Sequence, residues 1–78
     1  METEIKMTVE EMNEGLSGFD MNDGSLLAIR TVKVNDKGTV VTGLKIAGWT
    51  HGIEISIPLG RKVSSYREAV EELKKAGY

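Results

Sequence analysis

The sequence predicts an α+β domain: a three-stranded antiparallel meander with a C-terminal helix on one face and a short N-terminal helix ahead of it. Three observations predict this. Residues 25–59 contain three runs rich in β-branched residues, "SLLAIRTVKV", "TVVTGLKI" and "IEISIPL", separated by turn-forming residues. Residues 65–76 carry apolar side chains at helical spacing behind a capping signal. At 78 residues, 40% hydrophobic and 28% charged, the chain has material for one core and no second domain, so residues 1–78 form a single unit in which these elements pack on one another.

Thr8 and Glu11 have the spacing of a capping box, and Met7 and Met12 occupy the two positions of a hydrophobic staple. A short helix over 8–15 follows, ended by Gly15, and "TEIKM" (3–7) can add a strand before it. Residues 17–24 are turn-rich and read as a loop. Strands are expected over 25–34, 39–47 and 52–59. Asn35-Asp36-Lys37-Gly38 joins the first two as a hairpin, with Gly38 taking a positive φ. Ser65 and Glu68 form a second capping box. Behind it Tyr66, Ala69, Val70, Leu73 and Ala76 line one helical face, with Glu68, Glu71 and Glu72 early, Lys74 and Lys75 late, and Gly77 placed for a left-handed cap over a helix of 65–76.

Directly opposed residues of an antiparallel pair share a face, so a hairpin at 35–38 aligns Val34 with Thr39, Val32 with Val41 and Arg30 with Gly43. Strand 52–59 must then place Ile53, Ile55 and Ile57 beside Leu44 and Ile46, which pairs Ile46 with Ile53 and Lys45 with Glu54 through a four-residue loop, Gly48-Trp49-Thr50-His51. On this register the C-terminal helix covers Leu27, Ile29, Leu44, Ile46 and Ile55. The opposite face carries Leu26, Val32, Val34 and Val41 with Arg30, Lys45 and Glu54, too apolar for open water and too charged for a core. Either the N-terminal segment, with Met7, Met12, Leu16 and Phe19, or a second protein covers it. Pro58 cannot donate a ladder hydrogen bond, which marks 52–59 as an edge strand open to pairing.

The net charge of −2 is unevenly distributed. Residues 1–24 hold seven acids against Lys6 alone, and residues 25–78 hold nine Lys and Arg against five acids. Either the acidic segment folds back on the body, or the body has an anionic partner for which the segment competes.

Chemistry-bearing motifs are few. With one His and no Cys, no nucleophile, base and orienting group come together, and the reading is of a non-enzymatic protein with no catalytic residues and no cofactor. His51 has only Glu54 near it in sequence, short of a zinc ligand set, and "DMNDGS" (20–25) departs from a calcium loop in its glycine position and in Thr31, where a bidentate acid belongs, so no metal is expected. "GRKVSS" (60–65) places Arg61 and Lys62 before a helix N-terminus, an arrangement suited to phosphate, with Arg67 close behind. The absence of a basic leader and of a long apolar run sets a cytoplasmic protein, with no membrane association, as the expectation.

In its predicted order of helix, three strands and helix, the chain is similar to double-stranded-RNA-binding domains, and its three strands plus helix resemble small integrase-type DNA-binding domains. The resemblance is one of topology, and it implies nucleic acid as a partner class. Two expectations stand. The first is a module that binds a protein partner or a second copy through Trp49, His51, Val32, Val34, Val41, Arg30 and Lys45 and through the strand 52–59 edge. The second is a nucleic-acid or phosphate binder that uses Arg61, Lys62, Arg67 and the sheet's cations, regulated by residues 1–24.

Overall fold

A computed structural model describes residues 1–48 and 51–78. Its elements run β1 (Thr3–Ile5), α1 (Val9–Asn13), β2 (Gly18–Asp20), β3 (Leu26–Asn35), β4 (Gly38–Ile46), β5 (Ile53–Leu59) and α2 (Tyr66–Lys75). The fold is a small α+β domain built on a five-stranded antiparallel sheet. β3 is its spine. One side of β3 pairs with β4, and β5 lies beyond β4; the other side is shared end to end by β1, opposite Val32–Val34, and β2, opposite Leu26–Ala28. The expected loop at 17–24 therefore contains a strand. It is three residues long, and its inward side chain, Phe19, is buried. With β1 ahead of α1 and β2 behind it, the element order differs from the helix, three strands, helix order on which the nucleic-acid resemblance rested.

The hairpin begins as parity requires, with Val34 opposite Thr39 and Val32 opposite Val41, and Gly38 at φ +139°. It then departs. Thr31 faces Thr42 but Ile29 faces Gly43, leaving Arg30 as an extra residue in a β-bulge, where Arg30 opposite Gly43 was expected. An extra residue inverts the side-chain alternation. Leu27 and Ile29 point into the core on one side of the bulge, and Val32 points into it on the other. A bulge suits this position because Gly43 brings β4 close: a Cβ there would collide with the Ala28 carbonyl. From the opposite layer, the Tyr66 hydroxyl donates to the Arg30 carbonyl at 3.4 Å.

β5 is offset by one residue from the expected register, with Lys45 opposite Ile53, Gly43 opposite Ile55 and Val41 opposite Ile57. The isoleucines thus join the face of Val41 rather than that of Leu44 and Ile46. The proposed four-residue turn falls partly on Trp49 and Thr50, outside the described residues, but the flanking pairs rule out the Ile46–Ile53 register.

The core lies on this single face. Leu27, Ile29, Val32, Val41, Ile57 and Leu59 from the sheet meet Tyr66, Ala69, Val70 and Leu73 of α2, with Phe19, Met21 and Val63 closing the ends. Thr39 is the core's polar member: its hydroxyl donates to the Arg61 carbonyl at 2.6 Å and accepts from the Val63 amide at 3.1 Å, tying the β5–α2 connection to β4. α2 is capped at Ser65, whose side chain accepts from the Glu68 amide, yet the box is not reciprocal. Glu68 reaches back to the amide and hydroxyl of Ser64 instead. At α1 the Thr8–Glu11 box closes fully, whereas Met12 is exposed and gives the expected staple no cover. Among the described residues, no helix is long and apolar enough to cross a membrane.

Candidate functional site

Among the described residues, no helix lies on the side of the sheet away from the core. α2 sits on the core face through its apolar stripe, and α1 is bonded to the start of α2 through Glu11. The register places four cross-strand rows on the open face: Glu4, Lys33, Val40 and Pro58; Thr31, Thr42 and Ser56; Gly18, Ala28, Leu44 and Glu54; and Asp20, Leu26 and Ile46. Its apolar members are half-buried at best, and Leu26 is 39% exposed.

Arg30 reaches this face because the bulge puts it there. Its guanidinium meets the Glu54 carboxylate at 3.4 Å across β4, and both side chains are more than three-fifths exposed. Together with Thr31, Lys33, Thr42 and Ser56 they line a shallow concavity of about 400 Å³, in which the Thr42 and Ser56 hydroxyls lie 3.4 Å apart. A surface ion pair of this kind contributes between zero and about 1 kcal/mol, and it yields readily to a better partner.

The structure separates the residues expected to bind a partner. Val32 and Val41 have no exposure and Val34 packs against the core, so all three belong to the face that α2 covers. That assignment is corrected: the bulge at Arg30 turns Val32 and Val34, and Val41 opposite them, to the core side, the offset of β5 keeps its isoleucines there, and the open face holds Leu26, Ala28, Val40, Leu44 and Ile46. Arg30 stays on the open face. Lys45 does not: it lies on the core side at its margin and bonds Asp23 at 2.8 Å, holding the Asp23 carboxyl well below the usual carboxylate range with help from Ser25. His51 is exposed, and Trp49 lies outside the described residues.

The expected anion site is not assembled either. Arg61 meets Glu72 at 3.5 Å, in a small hollow shared with Lys62, Glu68 and Glu71, so acids line it as much as bases do. Arg67 turns to the N-terminal segment, where its guanidinium bonds Glu14 at 2.6 Å, which raises its pKa further. An anion does occupy the α2 N-terminus, but it comes from the chain itself: the Glu11 carboxylate accepts from the Arg67 amide at 2.9 Å. With Glu2 beside Lys33 and Asp23 on Lys45, the acidic segment is folded back on the basic body. Among the described residues, no group of three or more His, Asp or Glu is placed to hold a metal ion.

Sequence reasoning missed Glu11 as a bridge between two helices, because its spacing already explained it as a local cap. It also set Leu44 and Ile46 inside. The signal that could have corrected this is the apolar spacing in β3: Leu27 and Ile29, then Val32 and Val34, two in-phase pairs separated by one extra residue. No protein family, curated protein or solved structure matches the chain.

Proposed function

We propose that this chain is a small non-enzymatic interaction module that engages a protein partner through the open sheet face and the adjoining β5 edge. One observation carries the reading: Leu26, Ala28, Val40, Leu44 and Ile46 form a semi-apolar face that neither helix covers. The β5 edge adds to it. Pro58 is compatible with the ladder to β4 only with its nitrogen turned outward, so the edge keeps outward amides at Glu54 and Ser56 and loses one at Pro58. That shortens the stretch open to strand addition and leaves the face as the main surface. The nucleic-acid reading gains no support, since Arg30, Lys33, Lys45, Arg61 and Arg67 each stand against a carboxylate of the same chain.

Photo-crosslinking tests the proposal. With p-benzoylphenylalanine in place of Ser56, on the open face, the protein should form adducts in the cell. The same group in place of Glu71, exposed on α2, should form none. Equal yields from both positions, or none from Ser56, would remove the basis for the reading.

A further inference from the structure

We propose that β5 pairs edge to edge with β5 of a second copy of this chain, antiparallel, about a two-fold axis at Ile55 that joins the two sheets into one. This rests on the reading of the β5 edge as part of the interaction surface. One edge of the sheet is β5, seven residues from Ile53 to Leu59; the other is divided between β1 and β2, of three residues each. Among the described residues, the edge that matches β5 in length is therefore that of another β5. Glu54 and Ser56 turn both amide and carbonyl away from β4, and Pro58 turns out its carbonyl alone. A strand laid along this edge would satisfy those groups.

The edge itself selects the register. Centred on Glu54, the pairing would set Glu54 directly opposite Glu54, like charge on like. Centred on Ser56, it would set the ring of Pro58, which has no amide to give, against the Glu54 carbonyl. Centred on Ile55, Glu54 of each copy exchanges both backbone bonds with Ser56 of the other, and Pro58 falls beyond them. The side chains agree with this register. On the core side Ile55 meets Ile55, and Ile53 comes beside Ile57 of the other copy. Ile53 is 67% exposed in the single chain and Ile57 is a core residue at 4%, so the pairing carries the core across the axis and covers Ile53. On the open side Glu54 lies beside the Ser56 hydroxyl and keeps its own Arg30 at 3.4 Å. One short strand on each side is a small footprint, which places the dimer in the weak, concentration-dependent class. The contact is isologous and closes on itself, which limits growth through this edge to two copies.

The chain has no cysteine, so a single introduced one reads the register. Ile55→Cys places two thiols on directly opposed residues whose Cα atoms lie about 4.5 Å apart, within the span of a disulfide. Ser56→Cys places them on a diagonal of about 7–8 Å, beyond it. Under mild oxidation Ile55→Cys should therefore form a linked dimer at least about tenfold faster than Ser56→Cys. Sedimentation equilibrium should show the intact chain associating, and Ser56→Pro should weaken this at least about tenfold, because it removes an outward amide and no bond to β4. Its thermal melt in dilute solution should stay cooperative. A chain that remains monomeric at millimolar concentration, equal rates for the two cysteine variants, or a Ser56→Pro chain that associates as well as the intact one would overturn the dimer. The photo-crosslink from position 56 separates this failure from that of the underlying reading. An adduct of twice the chain's mass supports the second copy, an adduct of another mass alone overturns the dimer and keeps the surface, and no adduct removes both.

Discussion

Glu11 is 4% exposed, yet it keeps its charge fully engaged: one carboxylate oxygen accepts from the Thr8 amide and the other from the Arg67 amide, each at 2.9 Å. One side chain thus satisfies orphan donors at the start of both helices. The Thr8 bond is the main influence holding its carboxyl below the ordinary range; burial opposes this, and the Arg67 amide adds to it. A lowered folded-state pKa gives stability that is complete above the unfolded value, near 4.5, and is lost as pH falls through the folded one. Glu11→Gln keeps the shape but leaves a single acceptor oxygen, so it should cost about 1–3 kcal/mol at pH 7 in a denaturant titration and flatten the acid side of the stability profile. The flattening should be partial, because Asp23, Glu68 and Glu4 are shifted in the same direction and keep their own acid-side losses. Thr39→Val, close to isosteric, strands the Val63 amide and the Arg61 carbonyl inside the fold, and should likewise cost about 1–3 kcal/mol by thermal melt.

At the scale of elements the decisive feature is the bulge, because it alone lets Leu27, Ile29 and Val32 of one strand all point into one core. A single-residue deletion in a central strand normally turns every later side chain to the wrong face. Deleting Arg30 should not: Ile29 opposite Gly43 would run directly into Thr31 opposite Thr42, and the inward and outward sets would stay as they are. The Arg30 deletion is expected to keep its strand signal in circular dichroism and a cooperative melt, whereas deleting Thr42 from β4 should abolish both. A pair of deletions that behave alike would show that the bulge does not set which side chains face the core. The same feature marks where the sequence stops being legible. Element types and most boundaries follow from local chemistry: β-branched runs, Asn-Asp-Lys-Gly, and capping residues at Thr8 and Ser65. Facial assignment depends on counting by twos through Arg30, and a bulge is set by a non-local contact, the close approach of Gly43 to the Ala28 carbonyl. One uncounted residue in β3 and a one-residue offset of β5 turned Val32, Val34 and Val41 inward and Leu44 and Ile46 outward, and the candidate site changed with them.

For the whole molecule, the acidic segment and the basic body meet within the fold. The acidic segment supplies two strands of the sheet, buries Phe19 and Met21 in the core and bonds the start of α2 through Glu11. Its charges belong with its packing, as Glu14 reaches Arg67 and Asp23 reaches Lys45. A regulatory arm that masks a basic body should come away and leave the body folded. This segment cannot, on the magnitudes involved. A domain of this length holds about 4–12 kcal/mol of stability in total, and a buried Phe or Met cut back to Ala costs roughly 2–5 kcal/mol apiece. Removing residues 1–24 deletes both side chains, the pairing along one whole side of β3 and the Glu11 cap. The fragment 25–78 should therefore show no cooperative thermal transition and fast amide exchange throughout β3, while Glu14→Gln, which frees Arg67 alone, should melt within about 1 kcal/mol of the intact chain. A fragment that folded and melted cooperatively would restore residues 1–24 to the status of a detachable, competing arm.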